Sequence, residues 1–203
     1  FTLGSEGDDF TSTVANDGIT VGGQEGNDDF VLAGDENSVF RGGSGEDGFT
    51  GATGDSTTIV GGSEDDAFGA TGAGLDVGDE AFINGQVDED AIFVEGAVQI
   101  TVRGGSQDDT IEVTAAGTGA QMQFYGDNGA DLIEDLGAAS ELFGGGGSDT
   151  LLGGNGIDEL TGGFDIVKGE RVKIQGYLED FALSKEEADN LVMSARDIIY
   201  KKD

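Results

Sequence analysis

The chain has 203 residues, of which 42 are acidic, 9 are basic and none is histidine, so its formal net charge is −33. Such acidity disfavours nucleic acid and anionic membrane surfaces as partners, because both require a basic face. The absence of cysteine excludes disulfides and thiolate metal sites. No apolar run is long enough for membrane insertion.

The charge is unevenly distributed. Residues 1–163 carry 33 acids against only Arg41 and Arg103, whereas the last 40 residues carry nine acids and seven cations. An acidic chain of this kind is either a solvated, disordered or salt-adapted polypeptide, or an array that binds cations. The regular spacing of the acids, described next, favours the cation-binding array.

Nine aspartates recur in register. They are Asp9, Asp28, Asp47, Asp66, Asp90, Asp109, Asp131, Asp149 and Asp158, and the first four are 19 residues apart. A glycine stands five residues before each of them: Gly4, Gly23, Gly42, Gly61, Gly85, Gly104, Gly126, Gly144 and Gly153. A short fixed period of this kind predicts a stack of repeating coils.

Two apolar columns accompany the aspartates. Two residues after them stand Phe30, Phe49, Phe68, Ile92, Ile111, Ile133, Leu151 and Leu160, with Thr11 as the exception after Asp9. Seven residues before them stand Val21, Phe40, Ile59, Ile83, Val102, Phe124, Leu142 and Leu151. Because glycine and asparagine turns separate these β-type runs, each repeat reads as strand, turn, strand, turn. The prediction is an all-β parallel β-roll or β-solenoid with about 19 residues per coil.

Three segments carry a nonapeptide of the form G-G-x-G-x-D-x-U-x. They begin at Gly42, Gly144 and Gly153, and the last two follow each other directly. Residues 3–163 therefore resemble the calcium-binding β-roll of RTX (repeats-in-toxin) proteins. This resemblance implies several Ca²⁺ ions between successive coils, with the nine aspartates and backbone carbonyls of the glycine turns as ligands. The absence of His and Cys agrees with a hard, oxygen-ligated cation.

The chain departs from the family pattern at one edge. Only one turn of each coil carries the glycine–aspartate pattern before Ser148, so we expect one metal column, with the opposite edge weak or empty after about residue 90. The glycine at the fourth position of the nonapeptide is replaced by Glu64, Asp88 or Gln107 in three repeats. These residues either add a ligand or mark an empty site.

Two insertions lengthen the period, around Gly69–Asp79 and around Thr114–Gly119, and both are predicted to bulge from the opposite edge. By strand alternation, Phe82 and Phe93 point outward. There they either contact another chain or lie beneath the first insertion.

The tail forms a second predicted domain, residues 164–203, after the β-roll of residues 1–163. Arg171–Gln175 reads as a strand, and Ser184–Glu187 reads as a capping box that opens a helix. This small mixed cap either covers the last coil or contains a C-terminal signal for type I secretion, as the RTX resemblance implies. The missing initiator methionine leads us to expect a processed protein or part of a longer one.

Enzymatic activity is not expected, because the chain lacks histidine for a catalytic triad or an H-E-x-x-H zinc site. The leading hypothesis is a secreted, extracellular or cell-surface structural protein that folds on Ca²⁺ and self-associates into a surface layer, filament, fibre or adhesin. The alternative is the C-terminal RTX module of a larger exported enzyme or toxin. A third hypothesis, an ice- or polysaccharide-binding face, is weaker because no outward threonine or aromatic ladder runs through all coils.

Overall fold

The computed structural model describes residues 1–96, 99–114, 122–136, 140–153 and 159–162, and the backbone of 164–167 and 170–173. Over these residues the chain forms short strands and no helix, so no described helix could cross a membrane. The strands stack as a parallel β-solenoid of about eight coils with about 19 residues each. The predicted fold class is confirmed.

The coils build two parallel sheets, with strands numbered along the chain. The first sheet contains β1 (Thr2–Gly4), β3 (Thr20–Glu25), β5 (Val39–Ser44), β7 (Thr58–Ser63), β10 (Ala81–Gln86), β12 (Ile100–Ser106), β14 (Met122–Asn128), β16 (Ser140–Gly146), β18 (Glu159–Thr161), β19 (Phe164–Val167) and β20 (Glu170–Lys173). The second contains β2 (Asp9–Thr11), β4 (Asp29–Asp35), β6 (Gly48–Thr53), β8 (Ala67–Phe68), β9 (Leu75–Asp76), β11 (Ala91–Glu95), β13 (Thr110–Val113), β15 (Leu132–Asp135) and β17 (Thr150–Leu152).

Each coil therefore runs from a first-sheet strand, through a glycine-rich turn, to a second-sheet strand. We call this turn the glycine corner, and the turn back to the first sheet the far corner. Register is kept along both sheets, as in the pairs Phe40 with Ile59 and Phe49 with Phe68, apart from a shift between Ala33 and Asp35. Equivalent residues of successive coils consequently lie in straight columns, and neighbours within a column are about 4.8 Å apart.

The core lies between the two sheets and is one residue layer deep on each side. The predicted apolar columns lie inside it as far as Ile133 and Leu142, whereas Leu151 is half-buried and Leu160 is exposed. Phe30, Phe40, Phe49 and Phe68 are fully buried. Phe30 and Phe49 stack with ring centroids 4.7 Å apart, and Phe49 and Phe68 with centroids 5.0 Å apart. Burying an aromatic side chain contributes about 2–3 kcal/mol, so these columns supply much of the apolar stabilisation.

A neighbouring inward column is partly polar. Ser38, Thr57 and Ser140 are buried among Ala81, Ile100 and Met122. Their hydroxyls donate to the backbone oxygens of Glu36 and Asp35 and to the carboxylate of Asp135 respectively, at 2.6–2.7 Å. Satisfying these hydroxyls limits the cost of burial but adds little apolar stabilisation.

The first insertion differs from the prediction. Gly69 still donates its N–H to the oxygen of Phe49, and the sheet resumes at Leu75, which pairs with Val94. The spacing of 24 residues exceeds 19 by five, so the additional residues are 70–74. These residues form a loop that projects from the middle of the second sheet instead of from the far corner. Leu75 and Val77, which follow the loop, are again buried in the core.

Phe82 and Phe93 point outward, as predicted. Both are half-buried, and they lie in different sheets.

The second insertion, predicted around Thr114–Gly119, lies outside the described residues apart from Thr114. The predicted helix from Ser184 also lies outside them. The described coils belong to one compact unit, Phe1–Val172.

Candidate metal centre

A row of aspartates lines the glycine corner. We call Asp8, Asp28, Asp47, Asp66, Asp90, Asp109, Asp131 and Asp149 the aspartate row. Each lies two residues before an inward apolar residue, so alternation turns its side chain into the solenoid. The six residues from Asp28 to Asp131 are at most 2% exposed. These carboxylates are therefore interior groups and not a surface charge run.

One carboxylate oxygen of each row residue from Asp28 to Asp149 accepts a hydrogen bond from the preceding coil. The backbone N–H of Asp28 donates to Oδ1 of Asp47 at 2.8 Å, and that of Asp47 donates to Oδ1 of Asp66 at 2.9 Å. The same contact recurs from Asp8 to Asp149, with donor–acceptor distances of 2.8–3.2 Å. The ladder holds each carboxylate in one orientation and connects adjacent coils.

The other oxygen of these carboxylates has no partner. Oδ2 is buried and makes no hydrogen bond in Asp28, Asp47, Asp66, Asp90, Asp109, Asp131 and Asp149. A buried acceptor without a donor costs about 1–3 kcal/mol, and more when the group is charged. Seven such atoms in one line therefore indicate that the row is completed by a proton or a cation.

The glycine five residues earlier makes room for this oxygen. A Cβ on Gly23 would lie 1.9 Å from Oδ2 of Asp28, and a Cβ on Gly42 would lie 2.0 Å from Oδ2 of Asp47. Gly61, Gly85, Gly104, Gly126 and Gly144 show the same contact at 1.9–2.3 Å. Real Cβ atoms do not approach so closely, so the glycine–aspartate spacing is a packing requirement.

The first coil corrects one predicted site residue. Asp9 of β2 pairs with Asp29 of β4 and is exposed. Asp8 instead lies next to Asp28 in the row, and its backbone N–H donates to the Asp28 carboxylate. The register pairs Gly4 with Gln24, so Gly4 is not the counterpart of Gly23. Phe10 indicates the position of Asp8 in the row, because Phe10 lies two residues after Asp8 and continues the apolar column.

Of the other predicted site residues, the structure brings the seven from Asp28 to Asp149 into one line. Asp158 lies outside the described residues, as do most of the residues of its nonapeptide. Its role as a ligand stays a prediction.

Burial raises the pKa of the row carboxyls from Asp28 to Asp149. The backbone N–H that each accepts partly opposes this rise, and neighbouring carboxylates reinforce it for all but Asp149. The pKa is raised to about 6 for Asp47 and Asp131, to about 7 for Asp90 and to about 8 for Asp66 and Asp109. Near neutral pH, the middle of the row holds protons unless a cation replaces them.

Three coils carry a side chain at the fourth position of the nonapeptide, where the pattern has a glycine. Glu64, Asp88 and Gln107 adopt left-handed backbone conformations, with φ of 77–80°. The carboxylate of Asp88 accepts the N–H of Glu64 at 3.0 Å and the side-chain amide of Gln107. These residues bridge coils along the outside of the glycine corner, which is a different location from the buried row.

The far corner contains a different kind of buried carboxylate. Asp35 is fully buried, and its Oδ1 accepts hydrogen bonds from the Ser12 hydroxyl and from the backbone and side chain of Asn16, at 2.6–3.0 Å. The side chain of Asp35 is thus held within a turn. Residues 97–98 and 137–139 of this corner lie outside the described residues, and the single metal column stays a prediction.

At three steps the row offers oxygen atoms from two coils. A Cβ on Gly23 would lie 1.9 Å from Oδ2 of Asp28 and 2.5 Å from the carbonyl oxygen of Gly42 in the next coil. The same pairing recurs at Gly85 and Gly126. A carboxylate oxygen without a donor, close to a backbone carbonyl oxygen, fits a hard cation. Among the described residues, no three acidic side chains form a cluster for a metal. An ion in the row would therefore use one carboxylate oxygen per coil together with backbone carbonyls.

Comparison with protein-family models, curated proteins and solved structures finds no match for this chain. The RTX resemblance therefore rests on the nonapeptides and on the architecture. A parallel β-solenoid with a row of buried aspartates fits a calcium-binding repeat protein.

Proposed function

We propose that the protein is a calcium-binding repeat protein in which the aspartate row holds a column of Ca²⁺ ions. The observation that supports this most strongly is the line of seven buried Oδ2 atoms without a hydrogen-bond donor. Each lies beside a glycine whose missing side chain leaves space for it. A bound cation would satisfy these oxygens and cancel the repulsion between neighbouring carboxylates.

The chemistry of the row favours Ca²⁺ over other metals. All candidate ligands are carboxylate or carbonyl oxygens, which suit hard cations. Ca²⁺ accepts irregular sets of six to eight oxygens, whereas Mg²⁺ demands near-octahedral geometry. Each site has only one free carboxylate oxygen per row residue, because Oδ1 is already hydrogen-bonded. Weak sites in the range of roughly 10⁻⁴–10⁻³ M, as in extracellular modules, are expected.

The proposal extends to a secreted structural role. The row runs from the first coil to Asp149, so an ion column would stiffen nearly all of the described solenoid. A rod stabilised by millimolar Ca²⁺ folds outside the cell, where that concentration is found, and suits a surface layer, filament, fibre or adhesin. Self-association and export by type I secretion belong to this proposal.

Replacing Asp47 by Asn tests the ion column. Asn can keep the hydrogen bond to the N–H of Asp28 through its oxygen, but it places an uncharged amide where Oδ2 lies. We expect the calcium midpoint of folding, followed by circular dichroism, to rise about three- to tenfold for Asp47→Asn, since roughly 1 kcal/mol changes an equilibrium about fivefold.

Glu46→Gln is the matched control. Glu46 is the exposed neighbour of Asp47, and its substitution removes the same charge outside the row. Its calcium midpoint should stay within about twofold of the parent, because exposed charges contribute little. Equal midpoints for both variants would show that Asp47 is only a turn residue.

A further inference from the structure

A polar groove on the outer face of the first sheet has no role in the ion column. Its volume is about 370 Å³, and it is lined by residues that include Asn84, Gln86, Arg103, Gly105, Asp127 and Asn128. These residues belong to β10, β12 and β14. The volume falls at the lower end of the range of about 300–1,000 Å³ found for small-molecule sites.

A glycine forms the floor of this groove. Gly105 lies on the central strand, beside Asp127 of β14, and its φ is +133°. A Cβ at Gly105 would lie 2.2 Å from the carbonyl oxygen of Gln86. The central strand therefore carries no side chain at this point, while both flanking strands do, and a notch results.

One wall is held in a fixed position by Arg103. Its Nε and Nη2 donate to the two carboxylate oxygens of Asp127 at 2.8 and 2.6 Å. Its guanidinium carbon lies 4.5 Å from the centre of the Tyr125 ring, which stacks on Phe143 at 4.7 Å. The pair is neutral overall, and the guanidinium keeps N–H groups beyond the two that Asp127 uses.

The remaining lining groups are uncommitted amides. Within the described part of the chain, the side-chain amides of Asn84, Gln86 and Asn128 make no hydrogen bond, and all three are exposed or half-exposed. Each amide has both a donor and an acceptor group. The groove thus offers several donors and acceptors on a rigid sheet, which reduces the entropy lost when a ligand binds.

The surrounding charge limits what can bind. Residues 1–163 carry 33 acids and two arginines, so anionic ligands are repelled from the surface. The guanidinium of Arg103 makes the groove unsuitable for a metal ion. Both faces of the Tyr125 ring are covered, by Arg103 and Phe143, so no open aromatic platform is present. Recognition must come from hydrogen bonds to a neutral ligand.

We infer that this groove binds a neutral saccharide, whose hydroxyl groups both donate and accept hydrogen bonds, through Asn84, Gln86, Arg103 and Asn128. The site is local to three coils and is lined by no residue of the aspartate row. Because the groove is open and shallow, binding is weak, with Kd on the order of 1 mM.

Nuclear magnetic resonance of the full, isotope-labelled chain tests this site. The probes are neutral trisaccharides of glucose, galactose, mannose and N-acetylglucosamine, each added up to about 20 mM, well above the expected Kd. At least one of them is expected to shift the side-chain amide signals of Asn84, Gln86 and Asn128. The double variant Gln86→Ala/Asn128→Ala should lose at least about three-quarters of the shift at the remaining lining residues, as hydrogen bonds to both positions are removed.

Gln24→Ala is the matched control, because Gln24 holds the same register position as Gln86 with nearly the same φ (93° and 94°) but lies outside the groove. It should leave saccharide binding unchanged. The inference is overturned if none of the trisaccharides shifts the groove signals, if the double variant binds like the parent, or if phosphorylated sugars bind more tightly than neutral ones.

Discussion

Excess chelator at pH 8 is expected to abolish most of the β-structure of this protein. Without calcium, the buried Oδ2 atoms of the row must be either protonated or left as unpaired charges. Unpaired buried charges are costly, and the net charge of −33 adds self-repulsion to a core one layer deep on each side. The measurement is circular dichroism together with hydrodynamic radius, and returning calcium should restore both. Any assembly should dissociate with the chelator.

Lowering the pH of the chelated protein provides an independent check of the same cause. The pKa of row carboxyls is raised in the folded chain, to about 6–8 in the middle coils, against about 3.9 when unfolded. The folded chain then binds more protons, so its stability is greatest at low pH and falls as pH rises from about 4 to 8. At pH 5 the metal-free protein should therefore regain β-structure that it lacks in chelator at pH 8, which circular dichroism would detect.

These two results separate the possible states of the row. A chain that keeps its spectrum and radius in excess chelator at pH 8 does not need the ion column for folding. A chain that unfolds in chelator but is no more stable at pH 5 would show that the row carboxylates are not the groups responsible.

Gly23→Ala is expected to destabilise the protein by about 3 kcal/mol or more, because the added methyl group would overlap Oδ2 of Asp28 and approach the oxygen of Gly42. Neither neighbour can move freely, since Asp28 is held by the N–H of Asp8 and Gly42 is part of the β-ladder. The measurement is the free energy of unfolding by denaturant in saturating calcium.

The adjacent glycine is the control. A Cβ on Gly22 meets no atom within 4 Å, so Gly22→Ala should change stability by less than about 1 kcal/mol. Combining Gly23→Ala with Asp28→Ala should cost less than the sum of the single changes, because the clash disappears. Equal losses for Gly22→Ala and Gly23→Ala would contradict the packing of carboxylate against glycine.

The solenoid could be predicted because its signal is redundant. The apolar residues on either side of each aspartate keep their spacing through most coils, and Phe30, Phe49 and Phe68 indeed stack. Alternation alone also predicts that Asp47 faces inward, because it lies two residues before Phe49. It predicts the same for Gly42, which lies two residues after the inward Phe40. Alternation thus predicts the contact between the carboxylate and the glycine, which the turn pattern alone does not reveal.

The errors arose where the glycine and apolar signals disagree. In the first coil, Gly4 favoured Asp9, whereas Phe10 favoured Asp8, and burial of Phe10 against the core determined the register. The same competition displaced the first insertion, since Leu75 and Val77 are apolar enough to return the chain to the core. Hydrogen-bond partners, such as those of Asp35 at the far corner, depend on neighbouring coils and could not be read from spacing.

The most direct measurement of the central proposal is anomalous diffraction from crystals grown in calcium. It should show a line of calcium peaks at the glycine corner, about one coil (4.8 Å) apart, with each peak about 2.3–2.6 Å from an Oδ2 atom of the row. Peaks confined to exposed carboxylates such as Asp65 and Asp108, or no peaks along Asp28 to Asp149, would contradict the calcium column.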